Sequence, residues 1–273
     1  MSKILPEIQH NCCVKHYPDG GVEITACSAA VFRERGWEQS DKWEPEPRVE
    51  SESTNAAENL ARAKRRARTM VRDYARSNGF THFVTLTLDA SRVTDRYDIG
   101  AVVRDITRWL DNRVRRDGLQ YVLVPEEHKD GAIHFHGFFN AALPLVDSGT
   151  LSNGGKPRKP RSARQRAQWL SDGWHVVYNV PAWKFGFSTA IELYGERDAA
   201  IGYVCKYVTK AQRKIGGRWY YSGGALRKPS LSYCDVDFAR LSQQFSDNRF
   251  AVDALGCEMV RAYARGWEDG FLV

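Results

Sequence analysis

Nowhere in these 273 residues do 18 apolar side chains run consecutively, so no segment has the pattern of a membrane-spanning helix. The first ten residues, which include Pro6, Glu7 and His10, lack the apolar stretch of a secretory signal, and a cytoplasmic protein is expected. Cysteine is sparse. Six of them in a chain this long do not make a disulfide framework, and reduced thiols are expected. His10, Cys12, Cys13, His16 and Cys27 crowd candidate zinc ligands together, but adjacent cysteines are not the usual zinc spacing. Acidic residues are outnumbered, 33 against 40 Lys and Arg, for a net charge of +7. That balance suits a polyanionic partner without naming one.

The remaining composition, 42% hydrophobic and 12% aromatic, is that of a globular protein with a core. Residues 37–53 are acidic and contain Pro45 and Pro47, which reads as a linker after an N-terminal extension. Asn55 and Glu58 resemble a capping box opening a helix with a stripe of Leu60, Ala63, Ala67, Met70, Val71 and Tyr74 and six arginines around it. Asn78-Gly79 ends it. Phe80 to Leu88 alternates as a half-buried strand, and Asp98 caps a second helix that Gly118 ends. Leu119 to His128 and Ala132 to Asn140 read as a hairpin turning at Lys129-Asp130-Gly131. Residues 148–168, basic and without an acidic residue, read as a long mobile loop. Two more strands, Trp174 to Val180 and Phe187 to Tyr194, precede a helix from Arg197 to about Gln212. This order predicts an α+β domain over 54–236, a mainly antiparallel sheet with helices on one face, followed by a C-terminal extension over 237–273.

Two constellations carry chemistry. In Ile133-His134-Phe135-His136-Gly137, strand alternation puts both imidazoles on one face, roughly 6.6–7 Å apart along the chain. A third metal ligand must come from the neighbouring strand. A three-residue turn brings Glu126 opposite His134, whereas a two-residue turn brings Glu127 there. Two nitrogens and an oxygen suit Mg²⁺ or Mn²⁺ as well as Zn²⁺. The second constellation is Tyr203-x-x-Lys206-Tyr207-x-x-Lys210. On a helical wheel the two tyrosines and two lysines share one face, opposite Ala200, Ile201, Val204, Cys205 and Val208. A phenol is a poor nucleophile at neutral pH, and a nearby ammonium favours its phenolate. Together the parts suggest phosphoryl transfer, with a tyrosine attacking a phosphate polarised by a metal ion.

Phe83-Val84-Thr85-Leu86-Thr87, His134-Phe135-His136 and the paired Tyr-x-x-Lys units resemble the three ordered motifs of HUH endonucleases, the rolling-circle replication initiators. The paired tyrosines look like the two-tyrosine branch, which includes the A protein of isometric single-stranded DNA phages. The resemblance covers about residues 55–235. It implies a five-stranded antiparallel sheet of ferredoxin-like or RNA-recognition-like type, and it selects Glu126 over Glu127. It also implies one Mg²⁺ or Mn²⁺ on Glu126, His134 and His136. Tyr203 and Tyr207 then nick and rejoin single-stranded DNA at a plasmid or phage origin, whether or not folded as a hairpin, through a 5′-phosphotyrosine link that leaves a 3′-hydroxyl primer. Lys206 and Lys210 correspond to the motif lysines. The chain has no G-x-x-x-x-G-K-[ST] element, so unwinding and synthesis would fall to a helicase and DNA polymerase of a bacterial host. A relaxase or transposase of the same chemistry, or a non-catalytic single-strand binder, are the competing readings. Candidate DNA contacts are Lys156, Arg158, Lys159 and Arg161 in the basic loop, and Arg213, Lys214, Arg218 and Trp219 after the tyrosine helix.

Overall fold

The computed structural model describes residues 8–34, 56–128, 131–194, 197–252, 256–265, 267–268 and 271–272. Asn55, residues 37–53 and the turn residues Lys129 and Asp130, on which several of these expectations fall, lie outside them. Among the described residues no helix is long and apolar enough to cross a membrane. Contacts divide the chain into two units, Asn55–Arg227 and a second formed by Met1–Thr54 with Lys228–Val273.

The first unit runs α1 (Ala56–Ser77), β1 (His82–Leu88), α2 (Ile99–Asp117), β2 (Tyr121–Glu127), β3 (Ile133–Phe139), β4 (Val146–Ser152), α3 (Ala163–Ser171), β5 (His175–Asn179), β6 (Gly186–Glu192), α4 (Arg197–Lys210) and β7 (Tyr221–Gly223). Its strands form one sheet in the order β7-β2-β3-β1-β6-β5-β4, every pair antiparallel. The expected α+β class and antiparallel sheet are present, the sheet having seven strands. The helices, however, cover both faces rather than one. Val84, Leu86 and Leu88 of β1 pack with Val102, Ile106 and Leu110 of α2 on one side. Val122, Val124 and Phe138 pack with Ala67 and Val71 of α1 and Val204 and Val208 of α4 on the other. Each buried Val, Leu or Phe contributes about 1.5–3 kcal/mol. With both faces packed, a one-residue slip of β3 would move Phe135 out and His134 and His136 into the α2 core, so the register is strongly held.

Local signals act as their chemistry requires. Asp98 caps α2 by accepting from the Ala101 amide at 3.0 Å, and Gly118 ends it with φ 72°. Residues 148–168 are not one mobile loop. Strand β4 extends to Ser152, and Ser162 caps α3 by accepting from the Gln165 amide at 3.1 Å. Between them Leu151 and Arg158 exchange backbone hydrogen bonds of 2.9 and 2.8 Å. Local capping and this bridge override a composition that reads as loop.

In the second unit, strands Ser230–Cys234, Cys12–His16, Gly21–Cys27, Cys257–Arg265 and Arg249–Val252 form, in that order, one antiparallel sheet. Cys12, Val14, Val22, Ile24 and Ala26 pack with Leu241 of the helix Phe238–Gln244. The segments read as two extensions thus share a sheet, and Ser230–Cys234, placed by sequence within 54–236, joins it. All six cysteines are free thiols. Burial pushes the Cys27 thiol up to about 12, and the neighbouring Cys257 adds to the effect. His10 Nδ1 lies 3.2 Å from Asp235, and His16 Nε2 lies 2.7 Å from the Ser232 hydroxyl. Both imidazoles therefore engage partners on the C-terminal side rather than gathering with the cysteines.

Candidate active site

The hairpin of β2 and β3 is set by its turn. The Gly131 amide donates to the His128 carbonyl and the His128 amide to the Ala132 carbonyl, both at 2.8 Å. This is the three-residue turn, and Glu126 is the register partner of His134. The Glu126 side chain leans diagonally, its Oε2 lying 3.0 Å from His136 Nε2. On the other flank, β1 contributes two threonines in register with the two histidines. Thr85 Oγ1 lies 3.1 Å from His136 Nδ1, and Thr87 Oγ1 lies 3.2 Å from His134 Nδ1. Sequence reading took these threonines only as the outward half of an alternating strand. The signal that finds them is the pairing of β1 with β3, which a lone strand pattern does not carry.

Tyr207 of α4 lays its ring flat on His136, centroids 4.2 Å apart and planes within 4°. Tyr203, one turn earlier, stands edge-on to Phe83 of β1. The Tyr207 hydroxyl donates to the Tyr203 hydroxyl at 2.5 Å. The wheel had set the tyrosines equally apart from the apolar arc, but Tyr207 is 9% exposed and Tyr203 49%. The difference arises because Tyr207 lies at the margin of the arc that α4 presses onto the sheet. Lys206 and Lys210 are exposed. Lys210 lines a cavity of about 460 Å³ with Glu126, Glu127, His128, Tyr207 and Arg213. Lys206 makes no hydrogen bond or ion pair among the described residues.

The electrostatics follow burial. Desolvation pulls His136, 8% exposed, down to about 4, and His134 beside it adds to the shift. The Glu126 carboxyl is raised by desolvation, against the opposing pull of Lys210 and His128. The Tyr207 phenol is pushed up by burial first, then by its hydrogen bond to Tyr203 and by the Glu126 charge. The lysines therefore do not lower Tyr207. The cation that reaches the centre, Lys210, acts on Glu126.

Two imidazoles and a carboxylate are a suitable donor set for a hard or borderline divalent ion. Among the described residues no three His, Cys, Asp or Glu side chains are gathered to hold a metal ion, Glu126 instead being engaged with His136. The threonines fit the group nonetheless. A hydroxyl both donates and accepts, so Thr85 can donate to Nδ1 while Nε2–H donates to Glu126, or accept from Nδ1–H and leave Nε2 bare for a ligand bond.

The other sequence candidates lie apart. Lys156, Arg158, Lys159 and Arg161 are exposed, between β4 and α3. Strand β4 is the edge strand four places from β3, about 19 Å at the usual strand spacing. Arg213 pairs with Glu127 at 2.9 Å at the cavity rim. Lys214 and Arg218 are exposed, Arg218 stacking over Tyr221. Trp219 is 8% exposed and packs in the core under α1 and α4, so its indole offers no face to a base.

Residues 81–212 match a family model described as a replication-associated protein of the ORF2 type. No curated protein and no solved structure matches the chain. The matched stretch begins beside β1 and ends just past α4, so it contains Thr85, Thr87, Glu126, both histidines and both tyrosines. By that stretch the chain belongs to this replication-associated protein family, a rolling-circle Rep-like group.

Proposed function

We propose that this protein is the nickase of a rolling-circle replicon, cutting and rejoining single-stranded origin DNA through a tyrosine. The observation that carries the reading is the stacking of Tyr207 on His136, with Tyr203 hydrogen-bonded to it, above an imidazole pair braced by Thr85 and Thr87. Glu126, His134 and His136 would hold one Mg²⁺ or Mn²⁺, which supplies polarisation of the phosphate and stabilises the charge building on it.

Tyr203 is the accessible nucleophile. Its oxygen accepts a hydrogen bond from Tyr207, which favours the phenolate of Tyr203 over that of Tyr207. Attack on phosphorus forms the Tyr–O–P bond and breaks the P–O3′ bond. The departing 3′-oxygen takes up a proton and becomes the primer, while the proton of Tyr203 passes to water on its open side. Tyr207 becomes the second nucleophile once Tyr203 is esterified and no longer shares its proton. A non-catalytic binder leaves this pair without a purpose. Membership of a replication-associated family favours initiation over conjugation or transposition.

The test is a labelled single-stranded oligonucleotide of the cognate origin incubated with the protein and Mn²⁺ or Mg²⁺. A covalent adduct on a denaturing gel is expected, absent without metal and absent in the Tyr203→Phe, Tyr207→Phe double variant. No adduct on either strand of the replicon, or an adduct in the double variant, refutes the reading.

A further inference from the structure

Directly opposed residues of an antiparallel sheet share a face. The registers therefore define rows across the first unit. One runs Thr189, Thr85, His136, Val124, and the next runs Phe187, Thr87, His134, Glu126. The first of these rows is roofed where Tyr207 stacks on His136. Toward the second the helical cover runs out. At one end of it stands Glu126 beside the cavity, and at the other Phe187, 65% exposed. Phe187 is the most exposed large hydrophobic side chain among the described residues.

An isolated apolar side chain on a surface needs no explanation. Phe187 is different in its placement. It stands on β6, an interior strand paired on both sides, so its backbone is rigid. Its neighbours explain the exposure: Phe185 packs toward the core and the Ser188 hydroxyl accepts from the Val180 amide at 2.8 Å, so alternation turns Phe187 outward. It lies two strands from His134, about 10 Å at the usual spacing, within reach of a base adjoining a phosphate held at the histidines. Lys184, exposed just before β6, and Lys210, exposed beyond Glu126, place cations toward the two ends of the row. An aromatic platform flanked by cations is what an unpaired strand binds, bases on rings and phosphates on ammonium groups.

We infer that Phe187 is a base-stacking platform, holding the unpaired base next to the scissile phosphate so that the phosphate lies over the histidine row. This rests on the nickase reading for the position of the cut, but binding tests it separately. The experiment uses the full chain without metal, a fluorescent single-stranded oligonucleotide spanning the nick site, and a series of salt concentrations. Phe187→Ala should weaken binding about 5- to 100-fold, Phe187→Trp should retain it, and Phe187→Leu should fall with alanine. The salt dependence of the alanine variant should run parallel to that of the unmodified chain, because no phosphate contact is lost. With 2-aminopurine scanned along the strand, one position beside the cut should be quenched in the unmodified chain and bright in Phe187→Ala. Melting temperatures should agree, since the side chain is outside both cores.

Binding by Phe187→Ala within twofold of the unmodified chain, or full binding by Phe187→Leu, overturns the platform even if the unmodified chain forms its covalent adduct. Loss of binding by the alanine variant without any adduct from the unmodified chain leaves the platform standing and removes the nickase.

Discussion

The two tyrosines are alike in sequence and unlike in place, and the difference is chemical. Tyr203 is exposed and accepts a hydrogen bond, whereas Tyr207 is buried, donates it, and stacks on His136. Tyr203→Phe should lower first-strand adduct formation at least about 100-fold, and Tyr207→Phe should spare the first adduct but impair strand transfer. Equal loss in both, measured on single-turnover gels, would mean that the pair acts symmetrically. The threonines make a second prediction. Thr85→Val keeps shape but loses the hydroxyl on His136 Nδ1, and Thr87→Val does so at His134. Each should weaken Mn²⁺ binding about 10- to 100-fold by titration calorimetry. Affinity unchanged in both would show that the imidazoles orient themselves. His136 also couples the fold to pH. Its imidazole titrates at about 4 in the folded chain against 6.5 for the ordinary group, so the native state takes up its proton later than the unfolded state. Stability of the metal-free protein should therefore be complete above about pH 6.5 and fall as pH drops toward 4, by roughly 3 kcal/mol. Urea melts of the unmodified chain and His136→Gln across that window separate this contribution from other groups.

At the scale of elements, the signals that were legible are the local ones. Asp98 and Gly118 bound α2 because a cap and a left-handed glycine act on their own neighbours. The His-x-His strand and its turn were legible because alternation and turn length together define a register. Pairings beyond the hairpin were not. Nothing in Phe83 to Thr87 by itself says that it lies beside β3, and so Thr85 and Thr87 read as strand surface. Trp219 read as a binding aromatic for the same reason, since the core that receives it is built by α1, α4 and the sheet. Gly137 shows how tightly β3 is fitted. A Cβ there would meet the Val122 carbonyl oxygen at 1.9 Å and the Leu123 Cα at 2.9 Å, both backbone of β2. Gly137→Ala must therefore push β2 from β3, displacing Glu126 relative to the histidines. Loss of at least about 2 kcal/mol by chemical denaturation is expected, with metal affinity falling too. A variant as stable as the unmodified chain would show that the hairpin yields more easily than its packing suggests.

For the molecule as a whole, the least legible feature was that its two ends belong together. Cys12–His16 pairs with Ser230–Cys234, and Gly21–Cys27 pairs with Cys257–Arg265. Neither end carries enough alternating strand to bury a face alone, so composition marks both as extensions. Shared, they make a sheet whose inner face packs Val14, Ile24, Ala26 and Leu241. The unit Asn55–Arg227 has two cores of its own, and its candidate site draws only on residues within it. Deleting residues 249–273 removes two of the five strands of the smaller sheet and leaves Gly21–Cys27 as an open edge. The smaller unit should then fail to fold, while the larger keeps its thermal transition within a few degrees and its amides in the two cores stay protected from hydrogen exchange. If truncation instead abolishes protection throughout, the two units are one cooperative body, and the termini hold the candidate site together rather than standing beside it.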